Sequence, residues 1–130
     1  MSDTENLVRE KNKQLVLEFE AYLKQSGLSS KTIKNQVLAL DFFTEYLVYY
    51  EPYTELSEID TSDVNDFLSD FFPEKASWAS ETSVKEYITV FKKYFKWMVS
   101  TKRMQEDDYL MLLDEIKQSK EEWLSLVDYL

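Results

Sequence analysis

The side chains able to do chemistry in this sequence are lysines, hydroxyls and carboxylates, because its 130 residues include no histidine and no cysteine. Zinc sites, nucleophilic triads and general bases that work near neutral pH mostly rely on those two residue types. With one glycine, Gly27, the sequence also lacks the glycine-rich loop that cradles phosphates. We therefore expect that the protein is not an enzyme and uses no cofactor.

Carboxylates occur in two runs that invite comparison with metal sites. Neither run has the spacing of a calcium-binding loop or the glycine that such a loop needs. Both are typical of solvated helix faces, and we predict no metal site. The two runs are Asp63, Asp66 and Asp70, and Glu106, Asp107 and Asp108.

Lysines are concentrated in one segment of an acidic chain. The net charge is −10, and long-range repulsion by such a charge opposes contact with nucleic acid. Residues 80–103 nevertheless carry six basic residues against two acids. Residues 51–79 carry eight acids and one lysine, and residues 104–130 carry eight acids and two lysines. A local basic surface, rather than the net charge, is the feature that a function has to explain.

The basic segment has helical periodicity. At about 100° per residue, Lys85, Thr89, Lys92 and Lys96 fall on one stripe away from the apolar positions, with Lys93 and Trp97 beside it. An ordinary solvated helix face has the same pattern. The absence of acids from the stripe favours phosphate contacts, and both readings stay open at this point.

Hydroxyl residues open two of the predicted helices, at "SSKT" (29–32) and "SETS" (80–83). Such helix ends present free N–H groups that can hold a phosphate oxygen, although plain N-capping explains the same residues. Lysines near the first opening add charge, and an asparagine there is able to read an adenine edge. The candidate residues at the two openings are Ser30, Lys31, Thr32, Lys34, Asn35 and Thr82.

Apolar spacing predicts an all-α protein, because every segment repeats at helical period and none alternates like a strand. We expect the first four helices to form a compact bundle over residues 1–103, and an acidic amphipathic helix to occupy residues 104–130. Thr61 is predicted to cap the third helix and Pro73 to end it. The predicted helices run from about Asn6 to Gln25, from Ser29 or Ser30 to the residues before Pro52, from Thr61 to Pro73, from Ser80 over about twenty residues, and from Gln105 to Asp128.

The order of these segments resembles the SAM-like core-binding domain of tyrosine recombinases, the phage integrases. The resemblance covers about Leu15 to Val99 and rests on "GLSSKT" at the second helix, "EIDTSD" at the third and a threonine-containing start to an aromatic-ended fourth. The residues that carry it are Gly27, Leu28, Ser29, Thr32, Asp60, Thr61, Asp63, Thr82, Phe91, Phe95 and Trp97.

The resemblance implies a DNA-binding function. In that family the second and fourth helices of this domain approach the duplex, and here they are the helices that carry the candidate residues above. The family's catalytic domain has no counterpart, so the resemblance implies a non-catalytic, integrase-like protein of phage or mobile-element origin. It would act as a regulator or a recombination accessory that binds double-stranded DNA weakly and in a salt-sensitive manner.

The last helix suggests an alternative function, a protein-interaction module that does not bind DNA. Its apolar residues Leu113, Ile116, Trp123 and Val127 are candidates for docking on a recombinase or a second copy of the chain. Masking of the basic stripe and completion of the core are the other roles left open for this helix. The polar start of the chain and the absence of a long apolar run predict a cytoplasmic protein without membrane contact.

Overall fold

The computed structural model describes residues 3–128, and every regular element in that range is helical, which confirms the predicted all-α class. Because α3, a π-helical turn and α4 follow one another without a break, the described residues form five helical segments. None of the helices in residues 3–128 is long and apolar enough to cross a membrane. The helices are α1 (Asp3–Gln25), α2 (Ser30–Leu47), a 3-10 turn (Leu56–Glu58), α3 (Thr61–Asp66), the π turn (Phe67–Phe71), α4 (Phe72–Lys75), α5 (Glu81–Ser100) and α6 (Glu106–Ser125).

The chain divides between Glu58 and Ile59 into two compact units. In the first, α1 packs against α2 around the fully buried side chains of Phe19, Leu40 and Phe43. Gly27 joins the two helices in the left-handed region, at φ +78°, as the sequence predicts for a helix stop.

A buried asparagine fastens the loop after α2 to α1. The Asn12 side chain is 2% exposed; its Oδ1 accepts a hydrogen bond from the Leu56 N–H at 2.8 Å, and its Nδ2 donates to the Thr54 carbonyl at 3.4 Å. Both polar ends of the buried amide are thereby paired, as burial requires. The loop is held at the point where it returns to α1.

The third helical segment differs from its prediction at both ends. Asp60, not Thr61, is the N-cap: its carboxylate accepts from the N–H groups of Ser62 and Asp63, and the Asp63 carboxylate accepts from the Asp60 N–H at 2.9 Å. An aspartate one residue earlier satisfies two N–H groups with a charged acceptor, which a threonine hydroxyl cannot match. Hydrogen bonding from Ser62 lowers the pKa of Asp60, whereas burial raises the pKa of Asp63.

Pro73 does not end this segment, contrary to the prediction. The helix passes through Pro73 and ends at Lys75. The π turn over Phe67–Phe71 directly precedes it, and its wider hydrogen-bonding pattern replaces the regular ladder with which a proline ring clashes. The turn also buries Phe67, Leu68 and Phe71 together.

The core of the second unit is aromatic. The Phe67 ring lies 5.0 Å from that of Tyr87, 5.5 Å from that of Phe72 and 6.2 Å from that of Phe91, as measured between centroids. These spacings suit the edge-to-face and tilted contacts that aromatic rings prefer. Through them the third helical segment and α5 share one core.

Helix α6 packs against α3 and α5 and closes this core. The Trp123 ring is fully buried, and its Nε1–H donates to the Asn65 Oδ1 at 2.9 Å. Ile116 and Val127 are buried as well. These apolar residues at and after α6 are therefore covered by the chain itself.

Candidate nucleic-acid interface

Helix α5 is the element that positions the basic stripe. Ser80 begins it with a capping box, in which the Ser80 Oγ accepts from the Ser83 N–H and the Ser83 Oγ accepts from the Ser80 N–H. Nine of its twenty residues are buried, which leaves one narrow exposed face. The buried residues are Val84, Tyr87, Ile88, Val90, Phe91, Tyr94, Phe95, Trp97 and Met98.

The exposed face of α5 contains the predicted stripe. Lys85, Thr89, Lys92 and Lys96 are exposed, as is Thr82 at the start of the helix, and Lys93 is half-buried. At about 100° per residue, the two acids of α5 lie at the edges of this face and not within it. Among residues 3–128, Lys92 and Lys96 have no ion-pair partner within 4.0 Å. Their ammonium groups are available to an anion from solution.

The Thr89 hydroxyl is already engaged within the helix, since its Oγ1 donates to the Lys85 carbonyl at 3.2 Å. The Thr89 oxygen can then only accept a hydrogen bond, whereas a phosphate oxygen requires a donor. We therefore assign Thr89 a place on the stripe but a smaller contribution than the lysines beside it.

Glu121 of α6 and Asp128, which follows α6, lie close to the amino-terminal end of the stripe. A hydrogen bond to Asp128, together with the charges of Asp128 and Glu121, raises the pKa of Glu81. Lys85, one turn away, acts in the opposite direction on the same carboxyl group. The positive potential of the stripe is consequently weaker at Lys85 than toward its other end.

The carboxyl-terminal end of α5 adds two cations that the sequence analysis did not include among the site residues. Lys102 adopts φ +62°, and the N–H of Arg103 donates to the Met98 carbonyl at 2.9 Å, which closes a Schellman turn. The Arg103 guanidinium lies 4.8 Å from the Trp97 ring centroid. The basic composition of residues 80–103 was the only sequence signal for these two cations. The turn that places them was not predictable, because its left-handed position is usually taken by glycine and here holds a lysine.

Helical periodicity places Trp97 beside the stripe, but the structure buries its ring. Packing against Tyr94, at 6.1 Å between centroids, and the cover provided by Arg103 remove it from solvent. A helical wheel gives the direction of a side chain but not its neighbours.

The second candidate surface lies in the first unit, where α2 begins. The Ser29 Oγ accepts from the Thr32 N–H at 3.2 Å and donates to the Thr32 Oγ1 at 2.9 Å, so both hydroxyls serve the cap. Ser30, Lys31, Lys34 and Asn35 are exposed. Within the described range, Lys31 and Lys34 make no ion pair.

A groove between α1 and α2 borders this surface. It has a volume of about 570 Å³, and Ser30 and Lys34 line it together with Lys24 and Glu20 of α1. Leu28, Ile33, Val37 and Leu38 form its apolar part. The structure thus gathers the predicted residues into one group within each unit.

The residues predicted to dock on a partner are mostly buried, unlike the exposed residues of the two basic surfaces. Ile116, Trp123 and Val127 are buried in the second unit, and Leu113 is half-buried. A partner contacts the first three only if α6 leaves its position, so their docking role stays a prediction. The large apolar side chains that α6 exposes are Leu110 and Met111, at 51% and 60%.

Carboxylates do not converge on a metal site in the described part of the chain, where no three histidines, cysteines or acids are placed to hold an ion. Asp63, one of the acids in the two runs, is occupied by the cap of α3.

Comparison with protein families places these helices in a known context. Residues 16–102, more than half of the chain, match the phage integrase N-terminal SAM-like domain. The chain belongs to this family. The match confirms the resemblance noted in the sequence and links this SAM-like domain to integrase-type recombination. It begins within α1 and ends at the turn after α5, and α6 lies beyond it. No curated protein and no solved structure matches the chain.

Proposed function

We propose that this SAM-like domain protein binds double-stranded DNA without cutting it, as a regulator or an accessory of a phage or mobile-element recombinase. The observation that carries the proposal is the stripe of Lys85, Thr89, Lys92 and Lys96 on the exposed face of α5, which in an acidic molecule has the two acids of the helix only at its edges. Because ammonium groups that contact phosphates displace the counterions condensed on DNA, they give affinity that depends on salt and not on sequence.

The chemistry of the described residues supports a non-catalytic role. The hydroxyls of Ser29, Thr32, Ser80 and Ser83 are engaged in helix caps, and the sequence contains no histidine to act as their base. A hydroxyl nucleophile needs such a base to be activated. The helix openings that these residues cap present backbone N–H groups, which suit the binding of phosphate.

Weak binding is the expected regime. The net charge of −10 opposes approach to DNA, so we expect non-specific dissociation constants toward the weak end of about 10⁻⁴ to 10⁻⁶ M at physiological salt. Specific regulation would then depend on a second interaction, with a recombinase or with a second copy of the chain.

The test is fluorescence anisotropy with a labelled duplex at low salt. The double substitution Lys92→Glu and Lys96→Glu is expected to abolish binding. Lys117→Glu with Lys120→Glu on α6 is the matched control, since it changes the net charge equally on a different helix. Failure of the unmodified protein to bind any duplex, or equal weakening by both double variants, would overturn the proposal.

A further inference from the structure

The loop that follows α2 projects an aromatic group into solvent. Tyr49 and Tyr50 are 54% and 55% exposed, and their rings meet edge to face with centroids 4.8 Å apart. The residues on either side of the loop, Leu47, Val48 and Leu56, are buried. The two tyrosines therefore stand outside a core that is already filled.

The loop is anchored at its base. The Thr54 N–H donates to the Leu47 carbonyl at 3.0 Å, and the buried Asn12 side chain pairs with the backbone of Thr54 and Leu56. A loop tip held in this way loses little conformational freedom when it binds, which favours recognition. Exposed tyrosines on such a support are typical of protein–protein interfaces.

The charge around the tyrosines is negative. Residues 35–58 contain five acids and no lysine or arginine. Glu51 directly follows Tyr50 in the chain, and its carboxylate accepts a hydrogen bond from the Tyr53 hydroxyl at 3.1 Å. Two of the five acids are neutralised by α1, since Arg9 pairs with Glu45 and Lys11 with Glu55. Among residues 3–128, Glu51 and Glu58 have no ion-pair partner.

We propose that the loop 49–53 is a docking surface for an arginine-rich segment of a partner protein. Guanidinium groups stack on the faces of tyrosine rings and pair with carboxylates in the same contact. The carboxylates disfavour a nucleic-acid strand at this position, because they repel its phosphates. This proposal uses none of the lysines on α5, so it holds whether or not the chain binds DNA.

The test uses a fluorescent oligo-arginine peptide and the full chain, with anisotropy measured at physiological salt. The double substitution Tyr49→Leu and Tyr50→Leu keeps every charge and is expected to weaken binding about tenfold. Tyr49→Phe with Tyr50→Phe keeps the rings and is expected to retain binding. Trp78→Leu, at an exposed aromatic residue of the second unit, is the control for a general aromatic effect.

The contribution of charge is tested separately. Glu51→Gln is expected to weaken binding about threefold, whereas Glu10→Gln, at an exposed acid on α1, is expected to have no effect. Equal binding by the leucine variant and the unmodified protein would show attraction to net charge alone and overturn the proposal. Absence of peptide binding would overturn it too, as would tighter, tyrosine-dependent binding of a single-stranded oligonucleotide.

Discussion

Replacement of Lys92 by glutamine tests the DNA-binding proposal most directly. Lys92 is exposed at the middle of the α5 stripe and makes no ion pair among the described residues, so the substitution removes a charge without breaking a contact. The fold is expected to be unaffected. Any change in DNA binding is then attributable to the lost ammonium group.

The magnitude follows from counterion release. For about four phosphate contacts, the slope of log K against log salt is about −3.6. Loss of one contact reduces the slope to about −2.7. At about 0.1 M salt one contact is worth roughly eightfold in affinity, or about 1.2 kcal/mol.

The assay is a salt titration of duplex binding by anisotropy. Lys117→Gln on α6 is the control and is expected to leave the slope unchanged. Lys85→Gln is expected to reduce affinity less than Lys92→Gln, because Glu81, Glu121 and Asp128 already weaken the potential at that end. An unchanged slope for Lys92→Gln, or an equal reduction for Lys117→Gln, would refute the phosphate contact at Lys92.

Three further predictions concern stability, each measured as the free energy of unfolding in urea. Trp123→Phe removes the hydrogen bond to Asn65 and part of a buried ring, and we expect a loss of about 2 kcal/mol; an unchanged value would mean that α6 does not close the core. Asn12→Leu leaves the buried Leu56 N–H without its acceptor and is expected to cost about 1 to 3 kcal/mol, whereas a neutral result would show that water replaces the amide. Lys102→Gly relieves a left-handed lysine at φ +62° and is expected to stabilise the protein by about 1 kcal/mol; destabilisation would contradict the geometry of the turn.

Local signals in the sequence were sufficient where the physical cause was local. Ser29, Ser80 and Gly27 end or begin helices as predicted, because a cap or a left-handed turn depends on a few neighbouring residues. At the third helix the same reasoning chose the wrong cap, since Asp60 and Thr61 are both good candidates one residue apart. Pro73 was also misjudged, because a π turn that tolerates it has no distinct sequence pattern.

The sequence by itself determined the helical class and the outward direction of the α5 lysines, because apolar periodicity selects the buried face and unpaired ammonium groups stay in water. Only the tertiary structure decided what covers each apolar face. An amphipathic pattern indicates that the apolar face of a helix must be buried, but not which residues bury it. The buried positions of Trp97 and Trp123 were therefore not predictable. The positions of Lys102 and Arg103 were not predictable for the same reason, because they depend on how the turn after α5 folds back.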